Sequence, residues 1–573
     1  MKQKKQIRIA LLLSLCLALA IGCGHGRVFA ANEPETEPFA NGAVENGGFE
    51  NGLTGWTVEG GAAALSVPAF AGESALQLGA AEDYAVSITQ RIRNLEPGYY
   101  YLQARTQSEG GQEACYLFAA SESEGGFLCK TAVPRTIRDG EWTVVTVRGV
   151  FVNADRCLLI GAAAKGGGQL ARIDDFTLYR ETNQSRQYPN LFGGAVSWLD
   201  WEEDMGALYY DETGRQRDAL EILKESGCNA VRLELYNHPG AYRDAEGNYL
   251  PAGYKDADAI FALAQRADAL GMDIFLSFMY ADYWGNDAVP ADWLAALDGL
   301  SDAEKTDSLR AALYDYTVSF LERLRDAGIQ PCYISIGNEI EAGILLPYGS
   351  SFSGEASAAA LADFLNSGYQ AVKDVFPDSQ VVLHLGANCD DLHWESKSGA
   401  GVWFLDLMQR YGVQYDVIGT SYYPFWAQTD QQNAKKRALD LHDLAEWCEM
   451  MIDRYDKDVL ICESGYNWGT PGQLANNGAY AGIYPSSPEG QRDYATDLIN
   501  TVKSVKDGRC VGCFWWDPVL VSEPGVGWAL YGDGQARENV VETTTFFDYN
   551  HRALPVLRAY RDNTVALYLP ESE

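Results

Sequence analysis

Between residue 44 and about residue 181 the chain alternates apolar and polar positions in short runs: ALSVPAF, YAVSITQRI, YYYLQART, ACYLFAA, WTVVTVRGVF, CLLIGAAA and ARIDDFTLYR. Alternation with a period of two sends successive side chains to opposite faces, and Gly-rich turns separate the runs at near-regular intervals. The pattern predicts an all-β sandwich over 44–182. The composition turns polar at 183–189, and the rhythm then changes. From Leu191 onward, strands are expected at GGAVSWL, NAVRLELY, DIFLSFMY, CYISIGNE, QVVLHLG, DVIGTSYY, DVLICESGY and CVGCFWWD. Amphipathic helical segments such as DADAIFALAQRADAL lie between them. Eight strands, each followed by a helical pattern, predict a (β/α)8 barrel over 188–562, with 563–573 as a C-terminal tail.

The first residues read as an address rather than as fold. Lys2, Lys4, Lys5 and Arg8 precede an apolar run from Ile9 to Ile21, and Val28-Phe29-Ala30 fits a small-residue cleavage site. The expectation is an export signal over 1–30, a linker over 31–43, and a secreted, extracellular product. Lipid anchoring at Cys23, after Ala20-Ile21-Gly22, is the alternative. No later stretch reaches the roughly 20 apolar residues that a transmembrane helix needs. The formal net charge of −35 repels phosphate backbones and anionic bilayers, which disfavours nucleic-acid and membrane-surface partners. The 14 Trp and 33 Tyr are numerous enough to supply flat binding faces as well as core, and they suit a neutral or small-molecule partner. Cys510 and Cys513 form a C-x-x-C, but on a strand that spacing points the thiols to opposite faces, which disfavours a metal or redox pair.

Barrel chemistry sits at the C-terminal ends of the strands. There the sequence places Trp198, Tyr236-Asn237-His238, Tyr280, Asn338-Glu339, His384, Tyr422-Tyr423, Glu463 and Trp515-Trp516-Asp517. One Glu at a strand exit is commonly no more than a charged rim residue. Glu339 after the fourth strand and Glu463 at the end of the seventh, joined by an aromatic rim, point to catalysis. Cleaving a glycosidic bond needs two carboxyl groups, one protonated for the leaving oxygen and one ionised to attack or to activate water. A carboxylate beside a cation is favoured in its charged form, whereas one without a cation can stay protonated. Arg232, near the end of the second strand, reads by itself as a strand-end cation paired with Glu234 or Asp204.

VSWLDWEEDMGALYYDETG, ALEILKESGCNAVRLELYNHP, IGNEIEAGILLP, DVIGTSYYPFW and YPSSPEGQ together resemble the arabinogalactan endo-β-1,4-galactanases, glycoside hydrolase family 53, over nearly all of 191–562. The resemblance implies a retaining hydrolase with Glu339 as acid/base and Glu463 as nucleophile. It implies further that Asn338 bonds the 2-hydroxyl of the reacting sugar, that Arg232 steadies the nucleophile, and that catalysis needs no cofactor. β-1,4-Galactan or arabinogalactan would be the substrate of a monomeric enzyme. Trp198, Trp284, Tyr422, Tyr423, Trp426, Trp468 and Trp516 are candidate sugar platforms, and His384 a candidate substrate contact. Glu341 stands where the family more often has Asn and ranks below Glu339. Met279-Tyr280-Ala281-Asp282 and Trp516-Asp517-Pro518 depart from the family's third- and eighth-strand motifs. The loop after Tyr466 contains no acidic residue before Glu489, so a calcium site that some relatives hold there is not expected.

Asn46-Gly47-Gly48-Phe49-Glu50, Gly55-Trp56 and Ile173-Asp174-Asp175-Phe176 resemble the opening and closing motifs of β-sandwich carbohydrate-binding modules. That resemblance implies a galactan-binding module, with Glu50 and Asp175 sharing a structural calcium. Two competing expectations are a retaining mannanase or xylanase of the same clan, and a polysaccharide-binding protein without turnover; the presence of both Glu339 and Glu463 argues against the second.

Overall fold

The computed structural model describes residues 43–120, 127–136, 140–152, 157–181, 190–283, 288–386, 389–393, 399–424, 441–470, 483–561, 563 and 565–567. The chain divides into two compact units. Residues 1–190, 492–508 and 558–573 form one, and residues 191–491 and 509–557 the other.

The first unit holds two antiparallel sheets. Six strands run in the order Thr57–Glu59, Asp83–Arg93, Cys157–Gly167, Ala114–Ala120, Phe127–Ala132 and Val565–Leu567. Five more run in the order Ala63–Ser66, Ala75–Leu78, Ala171–Arg180, Gly98–Ser108 and Thr143–Val152. Along Asp83–Arg93 every second side chain is buried, which is the period-two pattern of the sequence expressed as burial. Leu76, Ile88, Leu102, Val145, Ile160 and Ile173 belong to the shared core. The motif residues Phe49, Trp56 and Phe176 pack their rings 5.0–6.1 Å apart in that core, so they build the sandwich rather than a ligand face. Val565–Leu567, within the stretch expected as a tail, pairs antiparallel with Phe127–Ala132. Lys503 also belongs to this unit and is buried, its Nζ donating to Lys130 O (3.3 Å), Thr131 Oγ1 (3.1 Å) and Asn563 O (3.0 Å).

The second unit is a closed barrel of eight parallel strands. They are β1 (Leu191–Ala195), β2 (Ala230–Leu235), β3 (Asp273–Phe278), β4 (Tyr333–Ile336), β5 (Gln380–Leu385), β6 (Val417–Tyr422), β7 (Asp458–Ser464) and β8 (Cys510–Trp515). Leu191, Ala230, Phe275, Val382, Leu460 and Phe514 fill the barrel with apolar bulk. Cys510 and Cys513 are buried, and neither is in a disulfide. Strands of a parallel barrel are covered on both faces and normally read as continuous apolar runs. β2 is buried throughout, yet it carries Arg232 and Glu234. Buried charges persist only where they are paired, so β2 marks the site.

Candidate active site

Arg232 is fully buried and distributes its guanidinium over four side chains. Nη1 donates to Glu463 Oε1 at 2.5 Å and lies 3.2 Å from Glu234 Oε1; Nη2 donates to Asn338 Oδ1 at 2.6 Å; Nε donates to Ser277 Oγ at 3.0 Å. Although burial disfavours the cation, Glu463 and Glu234 raise its pKa further. The second oxygen of Glu463 accepts from Tyr423 OH at 2.8 Å. Both oxygens of the β7 carboxylate are therefore held by donors from β2 and from the end of β6. Asp204, the other alternative partner for Arg232, accepts instead from Tyr254 OH at 3.0 Å.

Glu339 follows β4 through Gly337 and Asn338. Gly337 has φ +88°, and a side chain there would meet Ile340 Cγ2 at 2.5 Å, so the strand turns toward the site at a glycine. Glu339 itself adopts φ 49°, ψ 54°, a left-handed conformation that costs a non-glycine residue about 1–3 kcal/mol. Its side chain lies against Gly386 at the end of β5, where a Cβ would come within 3.0 Å of the carboxyl carbon. Ser421 Oγ donates to Glu339 Oε1 at 2.6 Å, and His384 Nε2 lies 3.0 Å from the same hydroxyl. Burial, then the charge of Glu463, pushes the Glu339 carboxyl up to about 8, with the Ser421 hydrogen bond opposing. The two carboxyl groups thus stand in contrasting surroundings, one clamped by a cation and one kept protonated at neutral pH.

Behind this pair the charges continue. Lys255 Nζ donates to Glu234 Oε2 at 2.5 Å and sits 4.1 Å above the centroid of Trp198. Against the cost of burial, Lys255 and Arg232 hold the Glu234 carboxyl below its usual range. Asp517, after β8, is buried with φ 46°, and burial raises its carboxyl to about 7. Tyr280, Glu339 and Asp517 all take positive φ just past the ends of β3, β4 and β8, so backbone strain collects at the catalytic end of the barrel.

The sequence-based candidates separate in space. Arg232, Asn338, Glu339, Tyr423 and Glu463 form one hydrogen-bonded constellation. Trp516 packs edge-on against Tyr423, with ring centroids 5.8 Å apart, and keeps 7% of its surface exposed. Trp468 donates from Nε1 to Thr545 Oγ1 at 3.3 Å and packs edge-on to Tyr549. Trp198 and Tyr422 are buried, and no open ring face is left for a sugar. His384 is also fully buried; burial, then Arg232, keeps it neutral, and it reaches Glu339 through Ser421. Trp284 and Trp426 lie outside the described residues. Glu341 Oε2 accepts from Gly386 N at 2.9 Å, which ties that carboxylate to the backbone. Sequence reasoning did not single out Ser421, Ser277 or Lys255. Ser421 lay in view within DVIGTSYYPFW, two residues before Tyr423, whereas nothing in the pattern around Lys255 marks it.

In the first unit, Glu50 accepts backbone N–H groups from Glu73 (3.0 Å) and Ser74 (2.9 Å). Asp175 is exposed, and its neighbour Asp174 is the buried one, accepting from Phe70 N and Ala71 N at 2.8 and 3.1 Å. The two carboxylates Glu50 and Asp174 pin the 70–74 segment.

Comparison with known proteins agrees with this geometry. The model of glycosyl hydrolase family 53 matches residues 191–560. An arabinogalactan endo-β-1,4-galactanase of Thermothelomyces thermophilus is 30% identical over 342 residues, covering 57% of this chain and 91% of that protein. An endo-β-1,4-galactanase of Bacillus subtilis strain 168 is 26% identical over 422 residues, covering 68% and 89%. Among solved structures, the Ignisphaera aggregans GH53 catalytic domain superposes with a TM-score of 0.54 at 30% identity, covering 66% of this chain and 98% of that one. The family match spans the barrel and both carboxylates, and the chain belongs to glycosyl hydrolase family 53.

Proposed function

We propose that this chain is an exported, endo-acting β-1,4-galactanase that cleaves galactan or arabinogalactan with retention of anomeric configuration. The observation that carries the mechanism is the contrast between Glu463, held by Arg232 and Tyr423, and Glu339, buried and pushed up to about 8. The substrate class follows from the names of the relatives. Glu463 attacks the anomeric carbon while Glu339 gives its proton to the leaving oxygen; the C1–O bond breaks and a glycosyl ester forms on Glu463. Glu339, now ionised, takes a proton from water, which attacks the same carbon; the ester bond from C1 to Glu463 breaks, the carboxylate of Glu463 is regenerated, and the β configuration is restored. With Asn338 Oδ1 committed to Arg232, Nδ2 is left to donate to the sugar 2-hydroxyl.

The sandwich serves as a galactan-binding module in this reading. Phe70 and Trp142 meet edge-on at 6.2 Å, and Arg105 lies 4.6 Å over the Phe70 ring. Gln77, Arg172 and Gln107 face one another in a row across three strands beside them. Rings, guanidinium and amides are the groups that grip a sugar's C–H face and hydroxyls.

The test is incubation of the purified protein with β-1,4-galactan, following oligosaccharide size and the first anomer by NMR. Shrinking oligosaccharides released as the β anomer are expected. Release of the α anomer first would refute double displacement, and preferential cleavage of mannan or xylan would refute the substrate class.

A further inference from the structure

Past Glu339 the chain forms a hairpin, Gly343–Ile344 paired with Gly349–Ser350, and then presents Phe352. Phe352 is 68% exposed and stacks on Trp403, 39% exposed, with ring centroids 4.9 Å apart and planes within 2°. Among the described residues this is a stacked pair in which both members are large and exposed. Single exposed apolar side chains need no explanation, but a coplanar aromatic pair held open to water does. The pair is held in place: Ser351 Oγ donates to the carbonyl of Glu341 at 2.5 Å, Ser351 N to Ala342 O at 3.2 Å, and Phe352 N to Ser350 Oγ at 3.3 Å. Trp403 stands in the first turn of the helix Ala400–Arg410, which follows β5. Segments that follow barrel strands, and the helix starts they lead into, lie at the catalytic end. Both rings therefore belong to that end, in the fourth and fifth βα segments.

We propose that Phe352, backed by Trp403, is a subsite for a galactosyl residue on the leaving-group side of the cleaved bond. Glu339 follows the same β4 that leads to Phe352, and in the proposed mechanism it protonates the leaving oxygen; Glu463 attacks from β7 on the opposite side. The departing chain thus runs out over the fourth and fifth segments, where the stacked pair lies. Trp403 covers the back of the Phe352 ring and fixes its plane, leaving the front face for the C–H face of galactose, while the sugar hydroxyls stay in water. The inference rests on the galactanase reading above.

The test uses the full-length protein and its variants Phe352→Ala, Phe352→Tyr and Trp403→Ala. Two substrates separate the roles: long β-1,4-galactan, and nitrophenyl β-galactobioside, whose leaving group carries no sugar. One lost stacking contact is expected to lower kcat/KM on galactan about 3- to 10-fold in Phe352→Ala, with Phe352→Tyr near wild type. On the nitrophenyl substrate all three variants should stay within about twofold of wild type, the resolution such kinetics allow. An equal fall on both substrates would mean a structural role, and no fall on galactan would mean no subsite; either overturns the proposal. If the wild-type protein fails to cleave galactan at all, the galactanase reading fails instead.

Discussion

Arg232 and Glu463 meet through Nη1 and Oε1 at 2.5 Å, joining β2 to β7 across the barrel. The same guanidinium holds Asn338, the residue before Glu339, so one buried cation ties Glu463 to the strand end that carries Glu339. Lysine cannot reproduce a planar fork that serves four side chains. Arg232→Lys is expected to lower kcat/KM on galactan by about 10²-fold or more. Arg232→Ala is expected to cost about 3–5 kcal/mol of stability as well, because it leaves buried carboxylates without their cation. Kinetics and thermal unfolding of both variants check this pair of outcomes.

Glu339→Gln and Glu463→Gln should each lower turnover of galactan by about 10²–10⁴-fold. Glu341→Gln should cost far less, because its carboxylate serves the Gly386 backbone. Turnover rates for the three variants under one condition decide this, and a larger loss in Glu341→Gln would mean that the acid/base was misassigned.

In the proposed double displacement Glu339 acts in its protonated form in the first step, so kcat/KM should fall as pH rises through about 8. The Ser421 hydrogen bond opposes that upward shift, so Ser421→Ala should move the alkaline limb higher. Stability obeys the same linkage. The folded-state pKa lies above the ordinary 4.5, so between about 4.5 and 8 the unfolded state binds fewer protons and stability declines with rising pH. Glu339→Gln removes that decline and should unfold at a higher temperature than wild type at pH 8 and above. A pH–rate profile and a set of melting curves measure both effects.

The architecture was largely legible in the sequence, because strand alternation and the βα rhythm are local signals. Every barrel strand was placed, and Glu339 and Glu463 stood out because each ends an apolar run. The supporting groups were less legible because their roles depend on contacts between distant strands. Lys255 comes from a loop after β2, and Ser421 acts only because β4, β5 and β6 bring Glu339, His384 and the hydroxyl together. Trp198 and Tyr422 show the reverse error. An aromatic at a strand end is as readily core as platform, and packing buried both. The stretch after residue 562 carried no periodicity long enough to show that Val565–Leu567 completes a sheet.

Asn563 bonds Lys503 and accepts from Ala132 N at 3.3 Å, so Asn563→Ala should destabilise the first unit by about 1–3 kcal/mol. Burial lowers the Lys503 ammonium from 10.5 to about 7, so the unfolded state binds more protons between those values and stability contributed there rises with pH. Calorimetry across pH 6–10 would show that rise in the wild type, and Lys503→Met should flatten it.

The division of labour between Glu339 and Glu463 is tested most directly by rescuing Glu339→Ala with azide on nitrophenyl β-galactobioside. The activated leaving group needs no proton, so Glu463 still forms the glycosyl ester, and azide then attacks in place of the water that Glu339 would have activated. The account predicts faster turnover with azide and a β-galactobiosyl azide product. An α-azide, or no rescue at all, would contradict it.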